Sequence, residues 1–445
     1  VVMAELAAVV GIGQTKYQAK RLDLSMPGLL RDAAEKALAD ADCSWADIDA
    51  VIIGKAPDLF EGVMMPELFL NDAIGGAYQP MLRVHTAGSV GGSTGIVAAS
   101  MVQSGVHDRV LCVAFEKQSE SNATWALSIS LPFSLATVAG AGGYFAPLVR
   151  GYIRRSGAPE DTGIRVAVKD RQNALKNPLA HLHLEDISFE MVESSPMLWD
   201  PIRYSETCPS SDGAVAMVLV NEKHADRVKN PAWVRGTSVR TERTFFAGRD
   251  QVNPAAGKLC AKDVYDQAGI TNPMKDVDCA EVYVPFSWFE PMWLENLGFA
   301  EEGEGWKLTM EGKTKIGSDM PWNMSGGVMC TNPIGASGML RFAEAARQVA
   351  LHNSDLEFDL GLEPEPVAGE AENIADELDL SDLEEIIDSE SDETAEDTAD
   401  ASAAAEDDDE LDFSDLEKML ESGDRPGASA EGDGADELDL QFDID

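Results

Sequence analysis

Short apolar runs alternating with stretches of helical spacing restrict this chain to a layered α/β architecture. Leu6-Ala7-Ala8-Val9-Val10-Gly11-Ile12-Gly13 reads as a buried strand ending in a glycine turn. Residues 26–41 follow with Leu29, Leu30, Ala33, Ala34, Ala37, Leu38 and Ala41 on one helical face. Ala50 to Gly54, Arg109 to Phe115 and Gly213 to Val220 are further strand-length apolar runs, and 93–104 returns to helical spacing. Runs apolar on both faces, separated by helices, predict a mostly parallel sheet covered by helices. The pattern also predicts a strand at 233–239, a helix at 256–268, a strand from Val277 to Phe286 that runs into a site loop, and a helix at 336–351. Residues 116–200, rich in Trp, Pro, Gly and His, break the rhythm and suit a substrate-covering insertion.

Charge divides the chain. The formal net charge is -45, and residues 361–445 hold 34 acidic and two basic side chains. Phosphate-rich nucleic acid is therefore excluded as a partner. After about residue 354 the sequence is Ala/Glu/Asp/Ser/Thr-rich and cannot bury a core, which predicts a disordered acidic tail. Within it Glu377-Leu378-Asp379-Leu380-Ser381-Asp382-Leu383-Glu384 is echoed by Glu410-Leu411-Asp412-Phe413-Ser414-Asp415-Leu416-Glu417 and again at Glu437-Leu438-Asp439-Leu440. These segments read either as short helices that fold on a partner or as a solubilising tail. The expected domains are 1–220, carrying the 116–200 insertion, then 221–353, then the tail 354–445. The six cysteines form no CxxC pair, and no apolar run reaches the roughly 18 residues of a membrane helix. The run from Met3 to Gly11 has no basic leader, so the expectation is a cytoplasmic protein.

Three segments carry chemistry. In Arg83-Val84-His85-Thr86-Ala87-Gly88-Ser89-Val90-Gly91-Gly92-Ser93-Thr94, glycines bring the backbone close at a helix start, where N–H groups can hold a carbonyl or enolate oxygen. His85 is a titratable group there. The bland alternative is a tight strand-to-helix turn. In Ala280-Glu281-Val282-Tyr283-Val284-Pro285-Phe286, a tyrosine ending an apolar run can aim its hydroxyl into a cleft as an acid or oxyanion donor, or be a buried hydrogen-bonded phenol. In 323–338, two glycine turns, Gly326-Gly327 and Gly335 to Gly338, flank an apolar run; Asn332 can donate its amide, and Cys330 is a nucleophile only if a base pairs with it. His181-Leu182-His183 lacks a third ligand at metal spacing, so no metal is expected. Arg154-Arg155 and the Lys169/Arg171 pair are candidate phosphate contacts, or solvated surface.

Together these segments resemble the thiolase superfamily, specifically its sterol-carrier/lipid-transfer branch of acetyl-CoA acetyltransferase-like proteins, over roughly residues 5–352. Gly88-Ser89-Val90-Gly91-Gly92 is similar to the family's C-x-x-G-G, with Gly88 where the acyl-accepting cysteine would stand. Tyr283 occupies the place of the histidine of "HDCF", and Leu294-Glu295-Asn296-Leu297-Gly298-Phe299 and Gly303-Glu304-Gly305 continue that block. Asn332 takes the place of the histidine of "GHP", and no late "CxGGG" segment precedes the tail. The resemblance implies a duplicated αβαβα five-layered fold, here truncated in its second half. It implies a homodimer binding acyl-CoA, with no tightly bound cofactor and coenzyme A only as part of the substrate.

Loss of the nucleophile makes thiolysis implausible and points to the branch's aldolases of steroid degradation. These cleave a β-hydroxyacyl-CoA by retro-aldol reaction alongside a DUF35 partner with an OB-fold and zinc ribbon. On that resemblance Tyr283, His85 and Asn332 are the catalytic residues, and Gly88, Ser89, Gly91, Gly92, Gly326 and Gly327 bind the coenzyme thioester. A second tyrosine expected of that pattern has no counterpart. Acyl transfer on an unusual branched or aromatic acyl-CoA, and a scaffold subunit without activity, are the alternatives.

Overall fold

The computed structural model describes residues 6–56, 63, 65–120, 140–243 and 248–352. All lie in the first of two units into which the chain divides, Val1–Leu378. The repeats expected at 377–387, 410–420 and 437–440 lie outside the described residues, as does the tail's predicted disorder.

One six-stranded sheet organises the described residues. Its strands are β1 (Ala7–Gln14), β2 (Ala50–Lys55), β3 (Met81–Val84), β4 (Arg109–Lys117), β7 (Asp212–Asn221) and β8 (Ala232–Val234), in the order β3-β2-β4-β7-β1-β8. A separate two-stranded ribbon pairs β5 (Met197–Trp199) with β6 (Ile202–Arg203). The sheet is mixed rather than mostly parallel: β2 pairs parallel with β3 and β4, but β7 runs antiparallel to both β4 and β1, and β8 antiparallel to β1. The reason the expectation missed this is physical. Every residue of β2 and β7 is buried, and an apolar run buried on both faces carries no sign of its direction.

The two faces of the sheet are filled by different helices. On one face, α1 (Met26–Asp40) begins at Ser25, whose hydroxyl accepts from Gly28 N at 3.3 Å, with Pro27 in the first turn. It buries Leu29, Leu30, Ala33, Ala34, Ala37 and Leu38 against Val51, Ile53, Leu111, Val113 and alternate residues of β7. On the other face, α2 (Val90–Gln103) packs through Ala98, Ala99 and Val102, together with Met339, Leu340 and Ala343 of the last helix (Ile334–His352). The 116–200 region opens as the end of β4 and continues as α3 (Gly140–Ser156) and α4 (Thr162–Ala174). With α5 (Ala255–Ala268) and α6 (Phe289–Asn296), the last helix is α7. Helices α3 and α4 and the 282–292 segment form a third apolar cluster around Tyr152, Trp288 and Phe289.

Two predicted strands are revised. The 233–239 strand is only Ala232–Val234. Val277 to Phe286 is extended but joins no ladder, touching only through isolated bridges at Ala280/Trp322 and Phe286/Thr207. Its hydrogen bonds go elsewhere: Ala280 N donates to Pro321 O, and Val282 N donates to the side-chain Oδ1 of Asn323 at 2.8 Å. Among the described residues beyond 235 there are helices and turns but no ladder strand.

Candidate active site

The 83–94 segment folds as an exposed loop set on a crowded base. Residues 85–89 are exposed, so His85 stands at the surface, outside the hydrogen-bonded cluster described below. The loop is knitted internally. Ser89 Oγ donates to Thr86 O at 2.7 Å, and Thr86 Oγ1 donates to Ser93 Oγ at 2.9 Å. A Cβ placed on Gly88 would meet nothing within 4 Å, and the same holds for Gly92. A Cβ on Gly91 would lie 2.7 Å from Met339 N and 3.0 Å from Ala336 O. The base of the loop is thus the crossing of α2 with α7, while position 88, where a nucleophile would project, is open.

The beginning of α7 sits beside that crossing. Val90 and Ile334 share a small cluster with Ala56. Beneath it, Glu116 Oε2 accepts from Ala56 N at 3.1 Å, and Glu116 pairs with the equally buried Lys55 at 3.3 Å. Asn332 precedes this helix. Its Oδ1 accepts from Ser337 Oγ at 2.7 Å, and its Nδ2 donates to Cys208 Sγ at 3.2 Å.

Cys208 joins Asn332 to Tyr283. Its backbone N donates to Pro285 O at 3.0 Å, which pins it to the Tyr283 segment. The carbonyl of Tyr283 accepts from Trp293 Nε1 at 3.0 Å. Burial raises the Tyr283 hydroxyl above its ordinary range, and the neighbouring Cys208 adds to the effect; at neutral pH it is a protonated phenol. Burial likewise pushes the Cys208 thiol up to about 12, so the sulfur is held as thiol. Cys330 is fully buried in the third cluster, pushed up to about 12 by burial, and belongs to the core.

A histidine reaches the same cluster. Ser211 Oγ accepts from Asn332 N at 3.1 Å and meets His181 Nδ1 at 2.8 Å. Ser211 Oγ keeps a second lone pair and its own O–H, so it serves either His181 tautomer at Nδ1. His181 Nε2 is buried without a hydrogen-bond partner, and burial lowers the His181 pKa to about 4. His183 bonds a different group, Asn177 O, at 2.7 Å. Among the described residues no group of three or more His, Cys, Asp or Glu side chains is placed to hold a metal ion.

The 323–327 turn is anchored, not open. Glu281 accepts from Ser325 N at 2.9 Å and from Ser325 Oγ at 2.8 Å, and pairs with Arg341 of α7. Gly326 and Gly327 are buried with positive φ, where a Cβ would lie 2.6 Å from that of Ala174 and 3.0 Å from that of Asn323. These glycines serve close packing. The phosphate-contact expectation for Lys169 and Arg171 is corrected, because both are buried: Lys169 pairs with Asp170 and Glu290, and Arg171 Nη2 donates to Thr207 O at 3.3 Å. Arg155 pairs with Asp250 at 2.8 Å. Sequence reasoning missed Cys208, which lies just ahead of the apolar run Gly213 to Val220, and it missed Glu281 as an anchor.

A glycine-rich loop on a crossing helix pair, with Tyr283, Asn332 and a thiol gathered at the start of the second helix, is the arrangement the fold presents for chemistry. Comparison with known proteins supplies the chain's class. Residues 238–358 match the family model for a thiolase C-terminal domain-like region. The chain is 30% identical over 360 residues to an acetyl-CoA acetyltransferase of Methanothermobacter thermautotrophicus, covering 77% of this chain and 90% of that protein. It is also 30% identical over 366 residues to the 17-hydroxy-3-oxo-4-pregnene-20-carboxyl-CoA lyase of Mycobacterium tuberculosis, covering 77% and 91%. Among solved structures, the Ltp2-ChsH2(DUF35) aldolase superposes with a TM-score of 0.65 at 27% identity, covering 79% of this chain and 91% of that one. The chain belongs to the thiolase family, in which these named relatives transfer or cleave acyl-CoA thioesters.

Proposed function

We propose that this protein is a carbon–carbon lyase that cleaves a β-hydroxyacyl-CoA by a retro-aldol reaction, without an acyl-enzyme. The observations that carry this reading are an open, side-chain-free position 88 and, at the start of α7, a cluster in which Tyr283 and Cys208 both keep their protons. Thiolysis needs a thiolate to take the acyl group. Retro-aldol cleavage needs only that one proton leave the β-hydroxyl and one reach the α-carbon as the Cα–Cβ bond breaks. Tyr283 serves both needs as a relay: it gives its proton to the α-carbon while taking the β-hydroxyl proton, and never stands as a free phenolate. Asn332 Nδ2 exchanges its weak thiol acceptor for the thioester oxygen, on which negative charge develops as the Cα–Cβ bond breaks. The products are a ketone or aldehyde and a shortened acyl-CoA.

The similarity to an Ltp2-ChsH2(DUF35) aldolase supports assembly with a DUF35-type partner. The exposed edge strand β3, with Leu82 facing solvent, supports pairing with a second copy of this chain. No described helix is long and apolar enough to cross a membrane.

The test supplies the purified chain, with and without a DUF35-type partner, first with a β-hydroxyacyl-CoA and then with a β-ketoacyl-CoA plus free CoA. Carbonyl product released without consumption of CoA is expected. Tyr283→Phe is expected to lower that rate by about 10²–10⁴-fold with CoA binding retained. Cys208→Ala is expected to keep the activity within about tenfold, since the thiol is no nucleophile. CoA-dependent cleavage that vanishes in Cys208→Ala would establish acyl transfer instead, and partner binding with no turnover would establish a scaffold.

A further inference from the structure

A cavity of about 200 Å³ lies between α4, the 181–191 segment and the turn before β7. Cys208, whose Sγ accepts from Asn332 Nδ2, is part of its wall, so the cavity adjoins the cluster formed by Tyr283 and Asn332. Its apolar lining is Leu182, Leu184, Ile187 and Met191. A dry apolar cavity of about 150 Å³ accommodates benzene, whereas drug-sized pockets run to about 300–1,000 Å³. This space is the size of one ring or a short branched chain.

Two polar side chains in the wall lack what their chemistry requires. Arg171 is 5% exposed, its Nε has no hydrogen-bond partner, and its Nη groups reach only the carbonyls of Ser205 and Thr207. No carboxylate forms an ion pair with it among the described residues; the adjacent Asp170 pairs with Lys169 at 3.0 Å. A buried guanidinium without an anion is costly and is normally matched by one. His181, also in the wall, carries an unpartnered Nε2.

We infer that this cavity is the acyl-group pocket and that it takes a ring-sized or short branched acyl group bearing a carboxylate, which Arg171 and His181 hold. The inference rests on the lyase reading for the word acyl, but the pocket is tested by binding and requires no turnover. A steroid nucleus is larger than this cavity, so the proposal separates this chain's acyl group from a four-ring one.

The probe is 4-fluorobenzoate, followed by ¹⁹F NMR on the full chain, with 4-fluoroacetophenone and a four-ring steroid ketone as competitors. The carboxylate is expected to bind at least about tenfold more tightly than the uncharged ketone, the steroid is expected not to displace it, and Ile187→Trp, which fills the cavity, is expected to abolish binding. His181→Phe is expected to weaken binding by about tenfold. Arg171→Met should lose the preference for the carboxylate, and if that variant misfolds, Ile187→Trp and His181→Phe still decide. Equal affinity for acid and ketone, displacement by the steroid, or binding unchanged in Ile187→Trp would each overturn the proposal. Retro-aldol activity without probe binding sinks the pocket alone, whereas probe binding without any cleavage sinks the lyase reading alone.

Discussion

Gly88 and Gly91 lie three residues apart, yet a methyl group on the first meets nothing within 4 Å while one on the second lies 2.7 Å from the backbone of α7. The exposed loop 85–89 and the helix crossing beneath it therefore answer to different constraints. The crossing is fixed by close packing: Gly338 mirrors Gly91, with a Cβ there 2.5 Å from Gly92 N. The loop is fixed by its own hydroxyl bonds and carries nothing at its open position. The loop's geometry is thus held by the crowded region beneath it and not by any side chain at position 88.

That contrast can be broken by substitution. The largest stability effect is expected for Gly91→Val, which forces a branched side chain into the backbone of α7 and should destabilise by about 3 kcal/mol or more, read as a large fall in melting temperature. A near-normal melting temperature would mean that the crossing is not what holds the loop.

An intermediate effect is expected from His181, which meets Ser211, the acceptor for Asn332 N. Its folded pKa, lowered by burial to about 4, lies below the ordinary value of 6.5. The unfolded chain therefore binds the proton more readily. The stability this provides is complete above about pH 6.5 and is lost as pH falls toward about 4. Between pH 7.5 and 5 the loss should be about 2 kcal/mol in the wild type and absent from the same difference measured on His181→Gln. Parallel pH profiles for the two proteins would place His181 in water.

The smallest effect is expected for Gly88→Ala, within about 0.5 kcal/mol of wild type. Gly88→Cys should fold equally well and present a thiol that alkylates quickly, since the surrounding loop is exposed. Instability of either variant would show that the open position is closed by something else.

Much of the scaffold was legible in the residues themselves. The apolar runs at 7–14, 50–55, 109–117 and 212–221 and the helices at 26–40, 255–268 and 334–352 stand within a few residues of expectation, because burial on one or both faces writes a period into the sequence. Val277 to Phe286 was misread because its apolar residues are buried under loops and helices, an environment that leaves the same composition as a strand. The candidate site was half legible. Tyr283 and Asn332 were named from their positions, and the structure places both beside one thiol. His85, named from the same loop as Gly88, stays at the surface.

The sequence alone determined that this chain is a layered α/β protein of the thiolase type, since periodicity and motif order are local properties of the chain. Only the tertiary structure decided strand direction, the burial of Lys169 and Arg171, and the meeting of Cys208, Asn332, Tyr283 and His181 across more than a hundred residues. Those depend on which distant segments share a wall, and burial then sets which of the gathered groups keep their protons.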